Sequence, residues 1–177
     1  MRDLHVAAFE HGGTSVAAFV DDLRLFVQNG QGISLVAEDD GVVVGHVMFT
    51  EALLDAPPRL VNVQVLSPLA VLPTHQRRGI GTRLVRSGLA EMKARLVPVV
   101  FVEGSPSYFP RLGFSPAARF GFRKPSLRIP DEAFQAMTLP AHRSWMTGTL
   151  VYAREFWTHN AVGLHPSDIV GNEASPT

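Results

Sequence analysis

The stretch that decides the fold is Gln76-Arg77-Arg78-Gly79-Ile80-Gly81. It follows an apolar run that ends in Leu69-Ala70-Val71-Leu72-Pro73, and it precedes a segment whose apolar residues recur at helical spacing. A strand end, a glycine turn and a helix start in this order direct several unpaired backbone N–H groups, and the positive end of the helix dipole, at one point. The sequence therefore predicts an anion-binding loop, with phosphate as the expected ligand.

Spacing separates the phosphate-binding motifs that compete for this loop. A Walker loop needs a glycine four residues further upstream and Lys-Ser/Thr after the last glycine, but this chain has His75 and Thr82-Arg83 there. A dinucleotide fingerprint needs a third glycine where Leu84 stands, although Glu103 lies near the distance expected for its acidic partner. Neither motif is therefore satisfied.

The remaining pattern, Gln/Arg-x-x-Gly-x-Gly after a Leu-x-Val strand, resembles the pyrophosphate loop of the GNAT family of N-acetyltransferases. Residues 99–114, which end in Leu112-Gly113-Phe114, are similar to the family's fifth strand, fourth helix and Leu-Gly-Phe ending. Residues 148–156 are similar to the last strand of a small-molecule or peptide N-acetyltransferase subgroup. The resemblance covers about residues 3–157.

The resemblance implies an α/β (α+β) fold with a mixed, mostly antiparallel sheet flanked by helices. We expect one domain over residues 1–157 and a C-terminal tail over 158–177. The family normally opens with a strand, whereas helical spacing here begins at Arg2. Either the start codon is later than in relatives or that strand is missing, which would leave the next strand exposed.

Apolar periodicity predicts the individual elements. A proline cannot donate to a sheet ladder, so we expect the strand to bulge or to part from a neighbouring strand at Ser67-Pro68. Gly88 lowers helix propensity, which indicates close backbone packing there. The predicted helices are Arg2–Glu10, Ser15–Gln28 and Ile80–Leu96, and the predicted extended segments are Ile33–Glu38, Val42–Glu51, Leu60–Leu72, Val99–Val102, Leu127–Ile129, Ala133–Leu139 and Gly148–Ala153.

Composition excludes several classes of function. The chain has 177 residues, 46% of them hydrophobic, and 16 basic residues balance 16 acidic ones, so no global field favours nucleic acid or a membrane surface. No cysteine is present, which excludes an enzyme-thiol acyl intermediate. The seven histidines show no metal-ligand spacing, and no apolar stretch approaches membrane-span length, so we expect a cytoplasmic protein without a metal.

The resemblance implies acetyl-CoA as co-substrate. Its pyrophosphate would bind the loop, and its pantetheine arm would bind the strand edge where two strands part. A solvated basic patch is the alternative interpretation of the arginines. The implied cofactor-binding residues are Leu69, Ala70, Val71, Gln76, Arg77, Arg78, Gly79, Ile80, Gly81 and Thr82.

Acetyl transfer to an amine needs oxyanion stabilisation and a proton for the departing thiolate. The resemblance implies the Val71 N–H for the first task and a tyrosine four residues before Gly113 for the second. This chain has Phe109 there, and Tyr108 is adjacent. A one-residue step on a helix turns a side chain by about 100°. Such a step would point Tyr108 away from the tyrosine position that the resemblance implies, so a packed or substrate-contacting aromatic is the alternative interpretation. Tyr108 is nevertheless the candidate acid, because it is adjacent to that position, and Ser105, Ser107 or water are the alternative proton donors.

Glu103 is the candidate general base, because it ends an otherwise apolar strand and burial would raise its pKa toward the useful range. A solvated strand end is the alternative, and Glu51 is a comparable candidate.

The predicted function is direct transfer of acetyl to a primary amine of a small molecule or peptide. The alternatives are a CoA-binding regulatory domain without catalysis and an interaction module that uses the exposed opening strand. A homodimer is an open option.

Overall fold

The computed structural model describes residues 2–9 and 13–163. The helices are α1 (Arg2–Ala8), α2 (Gly13–Gln28), α3 (Ile80–Ala94) and α4 (Arg154–Thr158). The strands are β1 (Gly32–Asp39), β2 (Val42–Ala56), β3 (Arg59–Val71), β4 (Val99–Glu103), β5 (Ser115–Pro116), β6 (Phe122–Arg123), β7 (Phe134–Thr138) and β8 (Gly148–Val151). Short 3₁₀ helices lie at Pro73–His75, Phe109–Leu112 and Ala117–Phe120.

All eight strands form one sheet in the order β5-β7-β4-β3-β2-β8-β6, with β1 paired to β2. The β3–β4 and β6–β8 pairs are parallel, and the other five are antiparallel. The predicted mixed, mostly antiparallel sheet with flanking helices is confirmed.

The sheet buries a separate hydrophobic core on each face. Alternation along β4 shows the division, because Phe101 belongs to the core beneath α2 and α4, whereas Val100 and Val102 belong to the core beneath α3. We refer to these as the α2 face and the α3 face.

Strand β3 bulges and then separates from β4. Val47 pairs with Leu69 and Phe49 with Leu66, so two steps along β2 oppose three along β3, and the bulge predicted at Ser67-Pro68 is confirmed. The parallel register of β3 with β4 ends at Val65 and Phe101. Beyond this pair the two strands no longer pair, and we refer to the region between them beside the end of β3 as the gap.

Two sequence expectations about local structure were wrong. Residues 127–129 do not form a strand, because Ile129 donates its N–H to Ser126 and accepts Lys124 Nζ at 2.6 Å within the loop. The expected fourth helix is only the 3₁₀ turn Phe109–Leu112, since Pro110 has no N–H to donate and Gly113 ends the turn at φ 99°.

The first part of the chain is helical as predicted, with α1 beginning at Arg2, while Glu10 lies outside the described residues. In the described ranges β1 has a strand neighbour only on its β2 side. At the other end, residues 159–163 pack on the domain and Val162 is 2% exposed. The domain boundary after residue 157 stays a prediction.

Candidate functional site

The loop between β3 and α3 presents free amides at a helix start. Arg77 and Gly79 adopt positive φ angles of 58° and 77°, which reverse the chain so that α3 begins at Ile80. The Arg83 N–H donates to the Gly79 carbonyl at 3.0 Å. Within the described residues, the amides of residues 80–82 donate to no main-chain carbonyl. They and the helix dipole make this point electropositive.

The edge of β3 exposes main-chain groups to the gap. The Leu72 N–H donates to the Val44 carbonyl of β2 at 2.9 Å, so alternation turns the main-chain groups of Val71 and Leu69 toward the gap. Ala70 pairs with His46 and directs its main-chain groups to β2 instead. Gln76 Nε2 donates to the Val71 carbonyl at 3.2 Å. The Val71 N–H, which the alternation turns toward the gap, is available to a ligand.

Tyr108 brings a hydroxyl to this place. A Cβ placed on Gly81 would lie 2.9 Å from the Tyr108 hydroxyl, 3.7 Å from Val71 Cγ2 and 3.8 Å from Leu69 Cδ2. Burial raises the pKa of Tyr108, and the Thr82 side chain lowers it in part. The tyrosine therefore keeps its proton at neutral pH beside the loop and the strand edge.

The arginines contribute less than the amides. Arg78 Nη1 lies 3.5 Å from an Asp39 carboxylate oxygen, and Arg83 Nη1 donates to the Arg78 carbonyl at 3.3 Å. Arg77 is exposed. Because Asp39 offsets one of these charges, the main-chain groups are the better-defined anion contacts.

The side chains of Phe109 and Tyr108 point in different directions, as the one-residue step along the chain predicts. Phe109 is 7% exposed in the core on the α3 face and meets Phe114 edge to face, with ring centroids 5.5 Å apart. Tyr108, rather than Phe109, lies beside Gly81. Of the alternative hydroxyls, Ser105 and Ser107 pair with each other at 2.8 Å.

Glu103 lies at the end of β4 on the α2 face. Its Oε1 accepts the Tyr152 hydroxyl at 2.6 Å, and its Oε2 accepts the Gly163 N–H at 2.9 Å. Burial raises the pKa of Glu103 despite these two donors and the charge of Arg128. Sequence reasoning missed Tyr152 and Gly163, and the only signal was that Tyr152 falls within the motif of the last strand.

Glu51 is bound elsewhere. Its carboxylate accepts Gln31 Nε2 at 3.4 Å and Asn62 Nδ2 at 3.3 Å, close to where β3 still pairs with β4. The Glu51 carboxylate is therefore held by side chains of its own neighbourhood, opposite a part of β3 that still pairs with β4.

Tyr108 and Glu103 lie on opposite faces of the sheet. Tyr108 packs with the core on the α3 face, whereas strand alternation puts Glu103 with Phe101 on the α2 face.

Two further properties concern the described parts of the chain alone. No cluster of three or more His, Cys, Asp or Glu side chains that could hold a metal ion occurs there. No helix in those ranges has the length and apolar character that crossing a membrane requires.

Comparison with known proteins identifies the class. The sequence model of the acetyltransferase (GNAT) domain family matches residues 1–117. The uncharacterized N-acetyltransferase YjhQ of Escherichia coli strain K12 is 34% identical over 151 residues, which cover 84% of this chain and 82% of that protein. This chain therefore belongs to the GNAT family and is an acetyl-CoA-dependent N-acetyltransferase.

Two solved structures agree with the fold. The GNAT family N-acetyltransferase YhbS of Escherichia coli, crystallised with CoA, has a TM-score of 0.74 and 29% identity, covering 92% of this chain and 86% of its own. A GNAT acetyltransferase of Brucella melitensis, crystallised with acetyl-CoA, has a TM-score of 0.68 and 28% identity, covering 88% of each chain.

Proposed function

We propose that this enzyme transfers the acetyl group of acetyl-CoA directly to a primary amine of a small molecule or a peptide. The observation that carries the proposal is the convergence of three features at the gap. These are the free amides that begin α3, the unpaired edge of β3 at Val71, and the Tyr108 hydroxyl. The relatives crystallised with CoA and acetyl-CoA support the choice of co-substrate.

The loop and the strand edge would divide the binding of the co-substrate. The amides of Ile80, Gly81 and Thr82 would hold the pyrophosphate with the help of the helix dipole. The surrounding loop residues, Gln76 to Gly79, would shape this cradle, with charge from Arg77 and Arg78. The pantetheine arm would bond to the main-chain groups of Leu69 and to the remaining lone pair of the Val71 carbonyl, beside Ala70. A Gly81 side chain would intrude here, which explains glycine at this position.

The reaction would proceed by direct attack. The neutral amine nitrogen forms a bond to the thioester carbonyl carbon, and the developing oxyanion accepts the Val71 N–H. The C–S bond then breaks, and the departing sulfur takes a proton from the Tyr108 hydroxyl. The chain contains no cysteine to carry an acyl intermediate, which supports this route over one through an enzyme thiol.

Glu103 would accept the proton that the amine loses. Burial raises its pKa, which brings a carboxylate toward the range of a useful base. Its position on the α2 face would admit the acceptor from the side opposite Tyr108. The amine class of the acceptor, a cytoplasmic location and a homodimer stay predictions from the sequence.

Phe109 supports a second candidate, a CoA-binding domain without catalysis, because phenylalanine stands where the resemblance implies a tyrosine. Thiol release measured across a broad panel of amines, beside the affinity for acetyl-CoA, separates the two. Tight binding without turnover on any amine would favour the second candidate.

The binding site is tested by Gly81→Glu. The new carboxylate would lie where the pyrophosphate is expected, so acetyl-CoA affinity measured by calorimetry should fall at least about 100-fold, on the order of 3 kcal/mol. The control is Ala90→Glu, which makes the same charge change on the exposed side of α3 and should leave affinity unchanged. Unchanged affinity in Gly81→Glu would refute the site.

A further inference from the structure

The carboxylate of Glu103 is fixed by one donor on each oxygen. The Tyr152 hydroxyl lies 2.6 Å from Oε1, and the Gly163 N–H lies 2.9 Å from Oε2. A carboxylate has about four lone-pair positions, so each oxygen keeps a position for another partner. Two donors at opposite ends hold the plane of the group while leaving it able to accept a proton.

Gly163 belongs to a short segment, residues 159–163, which we name the C-terminal strap. The strap is anchored at three points on different elements. His159 Nε2 lies 2.6 Å from an Asp22 carboxylate oxygen of α2, Arg128 Nη1 donates to Asn160 Oδ1 at 2.6 Å, and Val162 is buried in the core on the α2 face. These contacts give the Gly163 N–H a defined position.

The strap also influences the charge near Glu103. The Arg128 guanidinium lowers the pKa of Glu103, and Asn160 of the strap binds that guanidinium. Tyr152, Gly163 and Arg128 are the three groups that stabilise the ionised form, against the burial that opposes it. Two of the three depend on the strap, one directly and one through Asn160.

Tyr152 is itself held by packing. Its ring stacks on Phe156 with centroids 4.6 Å apart and an interplanar angle of 13°. Burial and the neighbouring Glu103 charge raise the pKa of Tyr152 well above its usual value, so its hydroxyl remains a donor at any pH at which the protein would be assayed. The catalytic mechanism proposed above gives this buried hydroxyl no role.

We infer that Tyr152 and the C-terminal strap are positioning elements for Glu103, so that residues beyond the last strand complete the acceptor side of the active site. The inference rests on the proposed function insofar as Glu103 accepts the amine proton. Tyr152 and the strap do not touch the reacting atoms in this arrangement. They orient the carboxylate and favour its ionised form, against the burial that raises its pKa.

The first test is Tyr152→Phe, which deletes the hydroxyl and keeps the stacked ring. In the full-length chain carrying ¹³C-carboxyl-labelled glutamate, the Glu103 signal, assigned with Glu103→Gln, should titrate about one pH unit higher than in the wild type, as expected for loss of a hydrogen bond to a charged group. The acidic limb of kcat/KM against pH should move upward by the same amount.

The second test is Asn160→Gly, on an exposed residue whose φ of 51° glycine adopts without strain. It frees Arg128 while leaving the strap backbone intact, so the Glu103 titration should rise by a smaller amount. The control is Trp157→Phe, because Trp157 contacts the Tyr152 ring at 6.4 Å between centroids but has no hydrogen bond to Glu103. This control should leave the titration unchanged.

Failure of this inference is distinct from failure of the proposed function. If the Glu103 titration is the same in Tyr152→Phe, Asn160→Gly and the wild type, the positioning role is refuted, even where thermal stability falls. If Glu103→Gln keeps full turnover, Glu103 is not the base. The two variants would then still raise the Glu103 titration if the strap holds the carboxylate.

Discussion

At the scale of single residues, two adjacent aromatics have divided roles. Phe109 is buried in the core on the α3 face, whereas Tyr108 directs its hydroxyl to the start of α3, beside Gly81. The two rings are edge to face with centroids 5.1 Å apart. One residue supports the core and the other supplies the only phenol placed beside the loop.

We expect Tyr108→Phe to lower kcat at least tenfold, because it removes the proton donor for the departing thiolate. Acetyl-CoA affinity should change little, since the free amides and the strand edge remain. Thiol release under saturating acetyl-CoA, with calorimetry for binding, makes the comparison.

The matched variant is Phe109→Tyr, which adds a hydroxyl at the position where the resemblance implies a tyrosine. The hydroxyl would enter the core, so this change should not restore turnover to Tyr108→Phe. Full activity in Tyr108→Phe alone would show that water or another hydroxyl protonates the sulfur.

At the scale of elements, α3 lies close to β2 because Gly88 has no side chain. A Cβ at this position would lie 2.1 Å from Phe49 Cε2, and Phe49 is fully buried. This contact brings the helix near the sheet and thereby sets the distance from the start of α3 to the gap. The close packing predicted from the sequence is confirmed.

Gly88→Ala should destabilise the protein by about 1–3 kcal/mol, because overpacking against Phe49 exceeds the gain in helix propensity of about 1 kcal/mol. Urea unfolding followed by circular dichroism measures the change. Ser87→Ala, on the exposed side of the same helix, is the control and should be neutral or slightly stabilising. An equal gain in both variants would contradict the packing argument.

At the scale of the whole molecule, a buried polar chain attaches α1 to the sheet. His5 Nε2 lies 2.8 Å from His46 Nδ1, and His46 Nε2 lies 2.8 Å from Ser34 Oγ. Burial is the main cause that lowers the pKa of His5 to about 4 and that of His46 to about 3. Arg24 adds to the effect on both rings, and Asp21 opposes it at His5.

These two rings should make stability fall in acid. The unfolded chain binds their protons near pH 6.5, whereas the folded protein does not until about pH 4 and below, so protons favour unfolding between these values. As the pH falls from 7 to 4, each ring should lower the free energy of unfolding by about 3 kcal/mol. Urea unfolding at several pH values measures the slope.

The variant that tests this origin is His5→Leu with His46→Leu, which replaces both partners by apolar side chains. Its stability should depend less steeply on pH than that of the wild type. A slope equal to that of the wild type would assign the acid sensitivity to other groups.

Local rules allowed the backbone structure around the candidate site to be predicted in part. The glycine turn after an apolar run indicated the anion loop, and Pro68 indicated the bulge, because both depend on the backbone chemistry of a few adjacent residues. Two elements were predicted wrongly. Residues 127–129 do not form a strand, because hydrogen bonds within the loop outweighed the local pattern. The segment at Phe109 is a 3₁₀ turn instead of a helix, because it contains Pro110.

The sequence by itself determined the first three helices, the hairpin, the glycine loop and the family, because these depend on periodicity, turn residues and short-range spacing. Tertiary structure alone decided that Tyr108 reaches Gly81, that Glu103 meets Tyr152 across 49 residues, and that Gly163 donates to the same carboxylate. Those contacts join residues far apart in the chain, and only the packing of the sheet, its helices and the C-terminal strap brings such residues together.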